Sequence, residues 1–147
     1  GLPAVADPGS QLVKLCHRHN IEVVPCSGPS SLMLALMGSG LNGQSFAFLG
    51  YIPAKTDERR QALKSIEKHS ASAHQTKIMI ETPYRNDSLF ADILNVCQGS
   101  TELCVAADIT MPDAYIMTKT VAEWKRYVAG KESIIGKRPC VFLILAH

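Results

Sequence analysis

The sequence predicts an α/β protein: a complete C-terminal subdomain over residues 45–147, built on a five-stranded mixed sheet with flanking helices. The tail of a second, parallel-sheet α/β domain precedes it over residues 1–44. Three observations predict this arrangement. From Phe46 onward, short apolar runs alternate with stretches whose apolar residues recur at helical spacing. Before that, Ile21 to Gly40 reads as strand, tight turn and helix. The chain also opens on Gly1-Leu2-Pro3-Ala4-Val5-Ala6-Asp7-Pro8-Gly9, a turn pattern that normally follows a strand. A lone parallel strand cannot satisfy its own edges, so earlier strands of the same sheet are expected upstream.

In order, Ser10 caps a helix with Leu12, Val13, Leu15 and Cys16 on one side, ending in His17-Arg18-His19, whose cations suit the helix dipole. A metal reading of Cys16, His17 and His19 is disfavoured because i and i+2 point apart on a helix. Ile21-Glu22-Val23-Val24-Pro25 is the strand, Cys26 to Pro29 the turn, and Ser30 to Met37 the helix, capped by Ser27 or Ser30 and stopped by Gly38 and Gly40. Leu41 to Ser45 is a polar connection between subdomains.

Phe46 to Tyr51 is the next strand, and Thr56 or Asp57 caps a helix reaching about His69, with Ser70 to Ala73 as a loop. Thr76 to Glu81 is a strand; Thr82 to Asp87 turns into a helix carrying Leu89, Phe90, Ile93, Leu94 and Val96. Glu102 to Asp108 and Tyr115 to Thr120 are strands, Val121 to Val128 a helix with Trp124 inward, and Cys140 to Leu145 the final strand.

Composition bounds the function. Of 147 residues, 46% are apolar, enough to bury an ordinary core, so a soluble globular protein is expected. No apolar run approaches the roughly 20 residues needed to span a bilayer. No basic-then-apolar leader is seen, which together points to the cytoplasm. Cys16, Cys26, Cys97, Cys104 and Cys140 are odd in number and lack a Cys-x-x-Cys pair, as expected of buried thiols in a reducing compartment. A net charge of +2 is too small to imply nucleic acid by itself, so any basic surface must be local.

Four constellations can carry chemistry. The glycines and prolines of residues 1–9 allow a ligand close to the backbone, or form a plain surface loop. The Ser27 to Ser31 turn leaves free N–H groups at a strand's carboxyl end, where open α/β sheets bind ligands, or merely caps a core helix. Glu81 and Arg85 stand four residues apart across a turn, as substrate contacts or as an internal ion pair. Arg60, Lys64 and Lys68, with Lys55 before them, make a basic stripe suited to phosphates, or a solvated face countered by Asp57, Glu58 and Glu67. No Ser-His-Asp set, metal-ligand spacing, Walker loop or Gly-x-Gly-x-x-Gly run occurs. The chemistry expected is therefore binding, or a transfer needing little acid–base help. Methyl transfer from a sulfonium is of that kind.

Several segments, in order, resemble the tetrapyrrole methylase superfamily of S-adenosylmethionine-dependent methyltransferases. They are Gly1-Leu2-Pro3-Ala4-Val5-Ala6-Asp7-Pro8-Gly9-Ser10, Val24-Pro25-x-Ser27-Gly28-Pro29-Ser30-Ser31, Phe46-x-Phe48-x-Gly50-Tyr51-x-Pro53-x-Lys55 and Glu81-x-Pro83-x-Arg85. The resemblance is closest to the branch of ribosomal-RNA small-subunit 2′-O-ribose methyltransferases. It implies a two-domain homodimeric enzyme with S-adenosylmethionine in the cleft between domains. It also places Leu2, Pro3 and Val5 against the methionine part, with Ser30 or Ser31 nearby, and Ile80, Glu81, Thr82, Ile109, Thr110 and Thr120 around the adenosine. Glu81, Arg85, Lys55, Arg60 and Lys64 are the expected substrate contacts; no catalytic side chain carries over and no metal is implied. RNA is the expected substrate and a porphyrin or corrin macrocycle the alternative. A non-catalytic dimerising or ligand-binding module on the same fold is the third possibility.

Overall fold

The structure is a computed structural model describing residues 1–147. Helices α1 (Ser10–Arg18) and α2 (Ser31–Ser39) precede a single sheet. Its strands are β1 (Phe46–Tyr51), β2 (Thr76–Ile80), β3 (Glu102–Ala107), β4 (Tyr115–Thr120) and β5 (Cys140–Leu145), in the order β1-β2-β5-β3-β4. Helix α3 (Thr56–Ala73) crosses between the parallel strands β1 and β2. Helix α4 (Asn86–Val96) joins β2 to β3, α5 (Val121–Val128) follows β4, and every pairing beyond β2 is antiparallel.

The apolar run of β5 has no polar alternation because both of its faces are covered. Cys140, Phe142 and Ile144 enter a cluster with Leu63, Leu89, Ile93 and Trp124 from α3, α4 and α5. Val141, Leu143 and Leu145 face the other way, onto Leu32, Ala35 and Leu36 of α2. Trp124 is fully buried: its indole N–H donates to the Leu103 carbonyl at 2.8 Å, and its ring meets Phe90 edge-on at 5.4 Å. The Thr118 hydroxyl donates to the Ser39 carbonyl at 2.7 Å, tying the end of α2 to β4.

Several expectations need correction. Ile21 to Pro25 is not a strand: a strand exists only through pairing, no segment of the chain pairs with it, and Val24 is 69% exposed. Gly9, not Ser10, occupies the cap position of α1, and the apolar side of α1 is uncovered, with no buried residue. Ser30 does stand at the cap of α2, but its side chain makes no capping bond; the left-handed Gly40 (φ 73) ends the helix. Ser70 to Ala73 is helical rather than a loop. The Ser70 hydroxyl donates to the Gln75 carbonyl and accepts from Ala146 N–H, a tertiary bond that no local pattern announces. A short 3₁₀ turn, Pro83–Arg85, precedes α4.

Three thiols are buried, Cys97, Cys104 and Cys140, whereas Cys26 is exposed. Burial pushes Cys97, aided by the nearby Glu67 carboxylate, and Cys140 up to about 12 from an ordinary 9.0. Thiols of the unfolded chain then ionise first, so above roughly pH 9 the unfolded state holds fewer protons than the native one. Stability is expected to be unaffected by these groups below that pH and to fall as pH rises toward 12. Urea titrations from neutral to alkaline pH should show that fall, and it should flatten in Cys97→Ala/Cys140→Ala. At neutral pH iodoacetamide should modify Cys26 quickly and leave the three buried thiols untouched until denaturant is added.

Candidate functional site

The carboxyl ends of β2 and β3 meet the start of β5 at one end of the sheet, with Ile80 opposite Val141 and Ala107 opposite Cys140. Two cavities open there. One, of ≈ 320 Å³, is lined by Ser31, Ile80, Glu81, Ala106, Asp108 and Ile109 among others. The other, of ≈ 250 Å³, lies between the opening loop, through Leu2, Val5 and Asp7, and the first turn of α2, through Ser30. Ser31 and Ile80 line both cavities, so they form one bent cleft. Leu2 reaches over the turn before α2: a Cβ on Gly28 would sit 3.3 Å from Leu2 Cδ2. The rim is strained, since Ala4 (φ 64), Ala6 (φ 53), Asp108 (φ 49) and Thr110 (φ 73) all hold left-handed backbone. Such conformations persist only where surrounding contacts enforce them, and they cluster at ligand clamps.

Beneath the cleft lies a charged network. The guanidinium of Arg59, with a side chain 1% exposed, donates to Glu81 Oε2 at 2.9 Å, Asp92 Oδ2 at 3.3 Å, Ser88 Oγ at 3.0 Å and the Pro53 carbonyl at 3.1 Å. Arg85 Nε approaches Glu81 Oε1 at 3.2 Å, the Thr82 N–H donates to the same oxygen at 2.7 Å, and Arg60 Nε meets Asp92 Oδ1 at 3.3 Å. Three guanidiniums thus share two carboxylates, leaving positive charge over. Arg59 was not singled out from the sequence, because helical periodicity could not show that α4 would bring Asp92 and Ser88 against it.

The sequence-expected residues divide accordingly. Leu2, Val5, Ser30, Ser31, Ile80, Glu81 and Ile109 line the cleft. Pro3 is exposed and lines neither cavity, Thr82 is engaged by Glu81, and Thr110 is exposed in the turn after β3. Thr120 lies at the opposite end of the sheet, because β4 runs antiparallel to β3 and places it beside Glu102; there its hydroxyl caps α5, accepting from the Glu123 N–H at 3.2 Å. Arg85 is tied to Glu81 and packs over the Tyr84 ring at 4.8 Å. Lys55, just before α3, and Arg60 and Lys64 on its exposed side line neither cavity of the cleft. Ala106 and Asp108 line the cleft without having been expected. Their signal was position, at the carboxyl end of β3. Asp108 holds its carboxylate 3.7 Å from Arg138.

No family model matches the chain. It is 36% identical over 133 residues to ribosomal RNA small subunit methyltransferase I of Vibrio cholerae, across 90% of this chain and 45% of that protein. It is 34% identical to the protein of that name from Escherichia coli O157:H7, with the same coverage, and 37% identical to that from Thermotoga maritima, across 75% of this chain. The chain therefore spans about half the length of the curated relatives it matches. Among solved structures it superposes on the methyltransferase CobJ with a TM-score of 0.60 at 14% identity, covering 99% of this chain and 62% of that one. On uroporphyrin-III C-methyltransferase from Thermus thermophilus, complexed with S-adenosyl homocysteine, the TM-score is 0.53 at 17% identity, covering 99% of this chain and 62% of that one. Over nine-tenths of its length the chain is thus similar in sequence to about half the length of the proteins named ribosomal RNA small subunit methyltransferase I, and it shares the fold of the methyltransferase CobJ and of uroporphyrin-III C-methyltransferase.

Proposed function

We propose that the whole protein is an S-adenosylmethionine-dependent methyltransferase acting on a ribose 2′-hydroxyl of small-subunit ribosomal RNA. The observation that carries this reading is the bent cleft in which the opening loop, the first turn of α2 and the ends of β2 and β3 converge on Ser31 and Ile80. The names of the relatives support the RNA substrate.

The cleft's residues fit the cofactor. Its walls are apolar at Leu2, Val5, Ile80, Ala106 and Ile109, which suits an adenosine ring and a methionine chain. At the start of α2 no side chain caps the free N–H groups, so they and the helix dipole favour the cofactor's carboxylate. When bound, S-adenosylmethionine supplies the electrophilic methyl and its own leaving group. What the chain contributes is alignment and a dry wall. Glu81 acts here as a fixed strut: both of its carboxylate oxygens are occupied, and through the Thr82 N–H it holds the turn at the rim.

On this reading residues 1–44 belong to a cofactor-binding domain and residues 45–147 form the other wall, the protein works as a homodimer in the cytoplasm, and Lys55, Arg60 and Lys64 face RNA phosphates. No helix is long and apolar enough to cross a membrane. Calorimetry should give a micromolar dissociation constant for S-adenosylmethionine with the whole protein and much weaker binding with residues 1–147 alone; equally tight binding by the shorter chain would refute the two-walled cleft. Transfer of label from S-adenosylmethionine to small-subunit ribosomal RNA should yield an alkali-resistant dinucleotide, the mark of 2′-O-methylation. Label on a porphyrinoid carbon instead would decide for the macrocycle reading.

A further inference from the structure

We propose that the outer flank of α3 and the end of α4 form a phosphate-binding groove for an RNA strand, separate from the cofactor cleft; this rests on the RNA reading above. Two shallow depressions, of ≈ 380 Å³ and ≈ 340 Å³, lie end to end and share Lys64 and Val96. Arg60 lines the first; Lys68 and His147 line the second. Asn95 and Gln98 add amide groups along the α4 side.

The spacing suits a nucleic-acid backbone. Four residues of α-helix rise about 6 Å. Arg60, Lys64 and Lys68 therefore repeat at a step comparable to that between successive phosphates of a strand, and Lys55 continues the line toward the cleft end of α3. Cations at i and i+4 destabilise a helix unless a counter-charge is supplied. Lys55, Lys64 and Lys68 take part in no ion pair, so their counter-charge is at best distant.

The acids nearby are already engaged. Glu67, the one acid lining either depression, turns its carboxylate to the Gln98 N–H at 2.7 Å and to the Thr101 hydroxyl. Asp92 is held by Arg59 and Arg60, and Glu102 by His147 at 2.8 Å, at the far end of the groove. Asp57 and Glu58 sit in the first turn of α3, where they complement the helix dipole, and line neither depression. Charge complementarity therefore points outward, to a chain of phosphates. The groove runs from the middle of α3 to Thr101 and His147, toward the end of the sheet remote from the cleft. It would hold RNA flanking the acceptor nucleotide rather than the acceptor itself.

The test uses the whole protein with Lys64→Glu/Lys68→Glu and a fluorescein-labelled single-stranded RNA oligonucleotide, read by anisotropy across a salt series. The double variant should bind the RNA at least tenfold more weakly. Its log–log salt slope should be shallower by about 1.4, two contacts' worth for a single strand. Its S-adenosylmethionine affinity should be unchanged. Unaltered RNA affinity and slope would overturn the groove, as they would if an acidic protein were its true occupant, and so would a parallel loss of cofactor binding. Methyl transfer measured on the unmutated protein tests the function separately: no transfer to RNA refutes that reading, whereas transfer that is insensitive to the double variant refutes the groove alone.

Discussion

Replacing Arg59 with methionine is expected to cost about 3–5 kcal/mol of folding stability, the range for removing one partner from a buried ionic network. For a domain of this size that corresponds to a fall in melting temperature on the order of 10 °C. The cause is specific. Arg59 is the one cation whose guanidinium meets both Glu81 and Asp92. Without it Glu81, itself 1% exposed, keeps the partly exposed Arg85 as its one cation, and Asp92 keeps Arg60 as its one cation. The Pro53 carbonyl and the Ser88 hydroxyl lose their partner as well. Because Glu81 holds the turn at the rim of the cleft, cofactor affinity should fall together with stability. Adding Asp92→Leu removes one of the stranded charges, so the double variant should lose less than the sum of the two single losses. Denaturant melts of the three variants would check this. Additive losses would mean that the network is a set of independent contacts.

Filling the cleft should separate binding from folding. Ser31 is exposed in the first turn of α2 and lines both cavities. Ser31→Trp places an indole where the two cavities meet, while removing no buried contact. Affinity for S-adenosylmethionine is expected to drop by at least about 100-fold, which is roughly 2.8 kcal/mol of lost binding. The unfolding midpoint should stay nearly where it was. Calorimetry and a denaturant melt on the same preparation give both numbers. Retained affinity would place the cofactor elsewhere and remove the basis of the methyl-transfer reading.

The elements most legible from sequence were those whose residues pack against covered faces. The continuous apolar run of β5 and the inward Trp124 follow from composition and period alone, because burial on two sides demands apolar residues throughout. The cleft was legible in part. Residue types marked the Gly/Pro opening and the Ser27 to Ser31 turn as able to face a ligand, the resemblance supplied Leu2, Val5, Ser30, Ser31, Ile80, Glu81 and Ile109, and the fold brings these together from segments far apart in the chain.

What the sequence could not decide depended on partners distant along the chain. Arg59 reads like its neighbour Arg60; only the packing of α4 against α3 makes one a buried hub and leaves the other half exposed. Thr120 reads as a strand end near the site, and only the antiparallel pairing of β4 with β3 sends it to the far side. Ile21 to Pro25 has the composition of a strand and no neighbour to pair with. Local sequence sets propensity and periodicity, and so marked the five strands, most of the helix bounds and the apolar faces that became interior. Pairing direction, helix docking and the assignment of charges to partners are non-local free-energy differences, and only the tertiary structure decided them.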